Sequence, residues 1–167
     1  MATSVTAPPR PRAIPTILGG GLLAGLLDAT DAIIYFGIKS NVPAGRIFQY
    51  IASGLIGIRA STRLGPLGIL LGVILQFTIA IGAAAVFYFA ARKFPLLIRR
   101  PFLSGPIFGL GLYGFMNLIV VPLSAVPKPP HPVFSWLDLA SGIFAHVVLI
   151  GIPIALIAQR SAIKRVI

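Results

Sequence analysis

Four long stretches of the chain are almost entirely apolar, and each reaches the roughly 20 residues that a helix needs to cross a membrane. They cover residues 16–38, 66–90, 102–126 and 135–159. Their edges carry helix signals, because Pro66 stands at a helix start and Ser135 and Asp138 have the spacing of a capping box. The pattern predicts an all-α membrane protein with four transmembrane helices in a bundle, and a structural role for Asp138.

A fifth apolar run, at about residues 44–57, is too short to span. Pro43 can start a helix there and Gly57 can end it. Ile47, Ile51 and Leu55 would share one face of that helix. We expect a short amphipathic helix at the membrane interface. The alternative is a re-entrant helix that plugs the bundle.

The segments outside these helices are basic or rich in proline. Residues 1–15 are expected to form a disordered basic tail, and residues 161–167 a basic C-terminal tail. The proline-rich stretch 127–132 is expected to be a stiff connection, with His131 facing solvent.

Composition agrees with a membrane protein of one domain. The 167 residues are 57% hydrophobic and 10% charged, whereas soluble domains are about 45–50% apolar and about 25% charged. The chain contains no cysteine, which excludes disulfides and cysteine-ligated metal sites. The net charge of +11 comes from basic residues between the apolar runs, so anionic lipid headgroups are a better partner than nucleic acid.

The distribution of basic residues predicts the orientation. In a four-span arrangement, nine of them share the side that carries both termini: Arg10, Arg12, Arg92, Lys93, Arg99, Arg100, Arg160, Lys164 and Arg165. Five lie on the other side: Lys39, Arg46, Arg59, Arg63 and Lys128. The positive-inside rule therefore predicts that both termini are cytoplasmic.

Every span carries strongly polar residues near its middle. They are Asp28 and Asp31 in the first span, then Gln76, Asn117 and His146. At about 1.5 Å rise per residue, all five fall within a layer about 6 Å thick. Charged groups in hydrocarbon are costly, so they normally face a protein interior.

Small residues at intervals of three or four precede the polar residues on the same helices. The stripes are Gly21–Gly25–Asp28, Gly68–Gly72–Gln76, Gly105–Gly109–Tyr113–Asn117 and Gly142–His146. Because small residues let membrane helices approach closely, the polar groups are expected to point where the helices pack.

This polar layer has two interpretations. It can be structural, so that hydrogen bonds between the polar side chains hold the helices together. One or both aspartates would then be protonated, because burial favours the neutral acid. Alternatively, Asp28 or Asp31 with His146 binds and releases a proton or cation. A single metal ion at these three residues is a minor alternative. The chain has no signature of a protease, hydrolase or nucleotide-binding enzyme, so we expect neither an enzyme nor a cofactor.

The second half of the chain has glycines, prolines and polar residues at characteristic positions. These positions are Phe94 and Pro95, Gly105, Gly109, Asn117, Pro122 and Leu123, with His146 before Arg160. This pattern resembles YagU-like small bacterial inner-membrane proteins, a family whose function is not characterised. The family has His where this chain has Asn117, and Asp28 and Asp31 have no counterpart in it. The resemblance implies a multi-pass protein of the bacterial inner (plasma) membrane.

Taken together, the residues favour a proton- or cation-linked small transporter component. The alternative is a structural or regulatory subunit that packs against partner membrane proteins. A homodimer fits the first interpretation and a heteromeric membrane partner fits the second.

Topology is directly testable. Reporter fusions placed at the C-terminus and within residues 127–132 should report opposite sides of the membrane, with the C-terminus cytoplasmic, because nine of the fourteen basic residues lie on that side. Finding both fusions on one side would refute the four-span arrangement.

Overall fold

Seven helices follow one another in the part of the chain described by this computed structural model, residues 10–128 and 134–163. They are α1 (Pro15–Ser40), α2 (Ala44–Ile56), α3 (Ile58–Arg63), α4 (Pro66–Lys93), α5 (Leu96–Arg99), α6 (Pro101–Leu123) and α7 (Trp136–Ala162). Three of the long helices contain π-helical turns, at Pro15–Gly19, Met116–Val120 and Ala145–Gly151.

The four long helices are apolar enough to cross a membrane, with mean hydropathy between 1.6 and 2.4. They begin and end within three residues of the stretches expected from sequence. The all-α bundle is confirmed. The chain is therefore a multi-pass membrane protein.

The two ends of the described chain meet at one end of the bundle. Pro11 is buried, the backbone N–H of Arg12 donates to Ser161 Oγ at 3.0 Å, and the Thr16 and Ser161 hydroxyls lie 3.1 Å apart. The tail boundaries expected at residues 15 and 161 therefore fall within packed structure. Residues 1–9, 129–133 and 164–167, including His131, lie outside the described residues. We call the end of the bundle where Arg12 and Ser161 meet the terminal end, and the opposite end of the bundle the α2 end.

Glycines let the long helices pack in antiparallel pairs. A Cβ added at Gly21 would lie 2.6 Å from Ile81 Cα, which brings α1 onto α4. On the other side of the bundle, α6 meets α7 backbone to backbone: a Cβ at Gly105 would lie 2.9 Å from the Gly151 carbonyl oxygen. Helix α7 also packs against α1, so α1 and α7 form the centre of the bundle.

The terminal half of the bundle is densely filled. Its core contains Phe87, Ile154 and a set of small side chains: Ala24, Ala83, Ala84, Ala91, Ala155, Ala158 and Ala162. Phe87 also meets Phe108 of α6 edge to face, with ring centroids 5.2 Å apart. Alanine and glycine leave little room between helices, so this half has a closely packed interior.

Helix α2 crosses the first two turns of α4. A side chain at Gly72 would overlap the carbonyl oxygen of Phe48, and Gln49 Nε2 donates to the Gly65 carbonyl at 3.1 Å. On the apolar face expected from sequence, Ile47 is buried against the protein, whereas the Leu55 side chain is 64% exposed. Helix α2 packs on a glycine face of α4, and its buried residues are Ile47 together with the small or polar Gln49, Ala52 and Ser53.

The glycine contacts predict a matched pair of substitutions on α6. A Cβ at Gly109 would overlap the backbone of His146, whereas one at Gly111 meets nothing within 4 Å. Gly109→Ala should lower the free energy of unfolding by about 1–3 kcal/mol because α6 and α7 must separate. Gly111→Ala should cost nothing, since alanine favours helix over glycine. Denaturant titration in mixed micelles measures both, and equal losses would contradict the described packing.

Candidate functional site

Asp28 and Gln76 join α1 to α4 inside the bundle. Gln76 Nε2 donates to Asp28 Oδ2 at 2.7 Å and lies 3.4 Å from the Gly25 carbonyl oxygen. Gly25 makes this reach feasible, because a Cβ there would lie only 3.0 Å from the Phe77 ring. The expectation that Asp28 faces the bundle within reach of Gln76 is confirmed.

A cavity of about 230 Å³ lies beside this pair. Its polar lining includes Asp28, Gln76 and His146, and Leu112 and Met116 of α6 belong to its apolar lining. Helix α2 and the segment after α6 also line this central cavity, where the Ala125 N–H donates to the Gly54 carbonyl at 2.9 Å. The volume is sufficient for a few water molecules at about 30 Å³ each, or for a small ion.

A second cavity of about 160 Å³ extends toward the α2 end. Asp28 and His146 line it as they line the central cavity, and Asp31, Tyr35 and Asp138 belong to this rim cavity alone. Asp28 and His146 thus stand between the two spaces. Asp31 is half-buried and makes no side-chain hydrogen bond within the described residues.

The mouth of the rim cavity contains a polar cluster that sequence reasoning only partly anticipated. Asp138 accepts hydrogen bonds from Tyr35 Oη and Lys39 Nζ, and this joins the end of α1 to the start of α7. The Asp138 N–H donates to Ser135 Oγ at 3.3 Å, as the capping-box spacing predicts. The sequence does not by itself pair Tyr35 and Lys39 with Asp138, but their spacing of four residues places both on one face of α1.

His146 lies in the π-helical turn Ala145–Gly151 of α7. Its Nδ1 is 2.9 Å from the Gly142 carbonyl oxygen, and its ring meets Tyr113 edge to face at 5.3 Å between centroids. A nitrogen that faces a carbonyl must carry its proton, so Nε2 is the atom left to take up or release one. Single π-helical turns are frequent at functional sites.

Asn117 does not join the cluster, and its expected inward orientation is wrong. The side chain is exposed, and Nδ2 donates to the Tyr113 carbonyl of its own helix at 2.9 Å. With 3.6 residues per turn, a stripe spaced by four drifts about 40° per step, so three steps from Gly105 place Asn117 about 120° away. The π-helical turn Met116–Val120 also alters the register there.

Nothing in the described residues forms a metal-ligand set, since no three His, Cys, Asp or Glu side chains are grouped so as to hold an ion. Asp28, Asp31 and His146 share the rim cavity without forming such a group.

No family model, curated protein or solved structure matches the chain. The resemblance to YagU-like proteins therefore stays a prediction.

The Asp28–Gln76 bond predicts a measurable loss of stability. Gln76→Leu removes the donor from a half-buried carboxyl group and should lower the free energy of unfolding by about 1–3 kcal/mol. Thr78→Val is the matched control, because the Thr78 hydroxyl is exposed and bonds only to the Ile74 carbonyl of its own helix. Unfolding in mixed micelles should show a lower free energy of unfolding for Gln76→Leu than for Thr78→Val. An unchanged free energy for Gln76→Leu would show that this bond does not stabilise the fold.

Proposed function

We propose that this multi-pass membrane protein is a small transporter component with a proton- or cation-binding site at Asp28, Asp31 and His146. The observation that carries the proposal is that Asp28 and His146 line both the central and the rim cavity. Ionisable groups inside membrane spans mark proton relays and ion pathways when they face such cavities.

The position of the two cavities supports entry of the proton or cation from one end of the bundle. Both cavities lie in the α2 half of the bundle, whereas Ala84 and Ile154 of the terminal half are fully buried. A proton or cation would therefore enter from the α2 end and bind near the middle of the spans. Release at the terminal end would require the alanine-rich core to open. In the orientation predicted from sequence, loading occurs from outside the bacterial inner membrane.

Each residue of the site has a distinct chemical role in this proposal. Asp28 takes up the proton or coordinates the cation, and Gln76 orients its carboxyl group. His146 offers Nε2 as the second proton acceptor. Asp31 adds a further carboxylate on the approach from the α2 end and attracts cations into the rim cavity.

Basic side chains at the terminal end suit a negatively charged membrane surface. Seven exposed residues of the described chain lie there: Arg10, Arg12, Arg92, Lys93, Arg99, Arg100 and Arg160. Each contributes about 1 kcal/mol of attraction when it lies close to anionic headgroups. We propose that these residues hold the terminal end at the anionic cytoplasmic leaflet.

One observation favours the second candidate function, a structural or regulatory subunit. Only 6% of the apolar segment of α6 is buried inside the protein, against 28% in each of the other spanning helices. A helix so little covered by its own chain is available to a partner in the membrane.

Proton flux into proteoliposomes tests the transport proposal. A potassium diffusion potential, negative inside, should drive proton uptake that a pH dye in the lumen reports. Asp28→Asn should abolish the uptake because the amide cannot exchange a proton, while Thr78→Val should retain it.

Carbodiimide labelling extends the test to cations, because a hydrophobic carbodiimide reacts with a protonated carboxyl group. Mass spectrometry should find Asp28 labelled, and Na⁺ or K⁺ should protect it if a cation binds there. Absence of uptake by the unmodified protein, together with labelling that neither pH nor cations change, would overturn the proposal.

A further inference from the structure

One face of α6 is largely uncovered by the rest of the described chain. Its residues are spaced alternately by four and three: Leu103, Ile107, Leu110, Gly114 and Asn117. The three aliphatic side chains are each more than half exposed. We call this set the α6 seam. Alternating intervals of four and three keep residues on one side of a helix and are the spacing of paired parallel helices.

The α6 seam lies on the opposite side of the helix from the packed face. Gly105 and Gly109 occupy that packed face, where the α7 backbone covers them. A turn of 3.6 residues places the seam between 120° and 180° away from Gly105. Packing within the protein therefore leaves the seam uncovered, in agreement with the low burial of α6.

Asn117 makes lipid alone a poor covering for this face. Its Nδ2 is bonded to Tyr113, but among the described residues its Oδ1 accepts no hydrogen bond. An amide oxygen without a partner in hydrocarbon costs several kcal/mol. Gly114, one turn earlier, has no atom within 4 Å of where its Cβ would lie. Another helix backbone can therefore approach the amide closely from outside.

We propose that the α6 seam is the interface with a second copy of this chain. Identical chains insert with the same orientation, so two copies of α6 run parallel about a twofold axis along the membrane normal. A residue near that axis meets its own counterpart. The Asn117 amide is both donor and acceptor, so each Oδ1 receives a hydrogen bond from the opposite Nδ2. A lone asparagine in such a seam also specifies register and oligomeric state.

The dimer proposal does not rest on the proton- or cation-binding site. Asp28 and His146 lie between α1, α4 and α7, and none of the seam residues lines either cavity. Failure of the flux experiment would leave the dimer proposal standing, and failure of the dimer would not by itself refute the proton- or cation-binding site.

Single-cysteine crosslinking in membranes tests the proposal directly, since the natural chain has no cysteine. Leu110→Cys and Gly114→Cys should form disulfide-linked dimers on mild oxidation. Phe115→Cys and Leu26→Cys should not, because Phe115 is about half exposed on another side of α6 and Leu26 is exposed on α1. Equal crosslinking at all four positions, or none at the two seam positions, would overturn the proposal.

A second variant isolates the amide pair. Asn117→Leu should raise the dimer dissociation constant roughly three- to thirtyfold, as expected for loss of an interhelical hydrogen bond in a membrane. Energy transfer between labelled copies, measured while liposome lipid is diluted, gives this constant. Unfolding of the isolated monomer should be unchanged, because Asn117 bonds only within its own helix. An unchanged dissociation constant would refute the pairing.

Crosslinking in native membranes also distinguishes the occupants of the seam. If Leu110→Cys joins reproducibly to a different protein and never to its own copy, the second-copy proposal is wrong. The seam would then belong to a heteromeric subunit interface.

Discussion

The hydrogen bond between Gln76 and Asp28 is the interaction on which the interior of the α2 half depends. It places a carboxyl group in the middle of an apolar bundle, where such a group needs a partner. The bond forms because Gly25 keeps α1 close to α4, and it leaves Asp28 at the wall of the central cavity. A stable fold and an ionisable site are thus provided by the same pair of helices.

The two halves of the bundle differ in what fills them. Alanine and glycine close the terminal half, and its buried core contains few large side chains. In the α2 half, cavities remain between the helices, and the cluster of Tyr35, Lys39 and Asp138 joins α1 to α7 at the mouth of the rim cavity. This asymmetry fits the proposed uptake of protons or cations from the α2 end.

Much of this arrangement could be predicted from the sequence, because membrane spans are set by length and apolarity. The four helices and the inward position of Asp28 follow from the cost of polar groups in hydrocarbon. The orientation of Asn117 and the buried face of α2 could not be predicted in the same way. The first depends on helical drift and a π-helical turn, and the second on which surface of α4 receives α2.

Two of the three π-helical turns contain a polar residue of the midplane layer. One contains His146 on α7 and the other contains Asn117 on α6. Gly109 packs directly against the backbone of His146, so a shift of α7 at this histidine must also move α6. The seam lies on the far side of that same helix. Protonation or ion binding that displaces His146 would therefore be transmitted through one layer of backbone contacts to the surface where a second copy is proposed to bind.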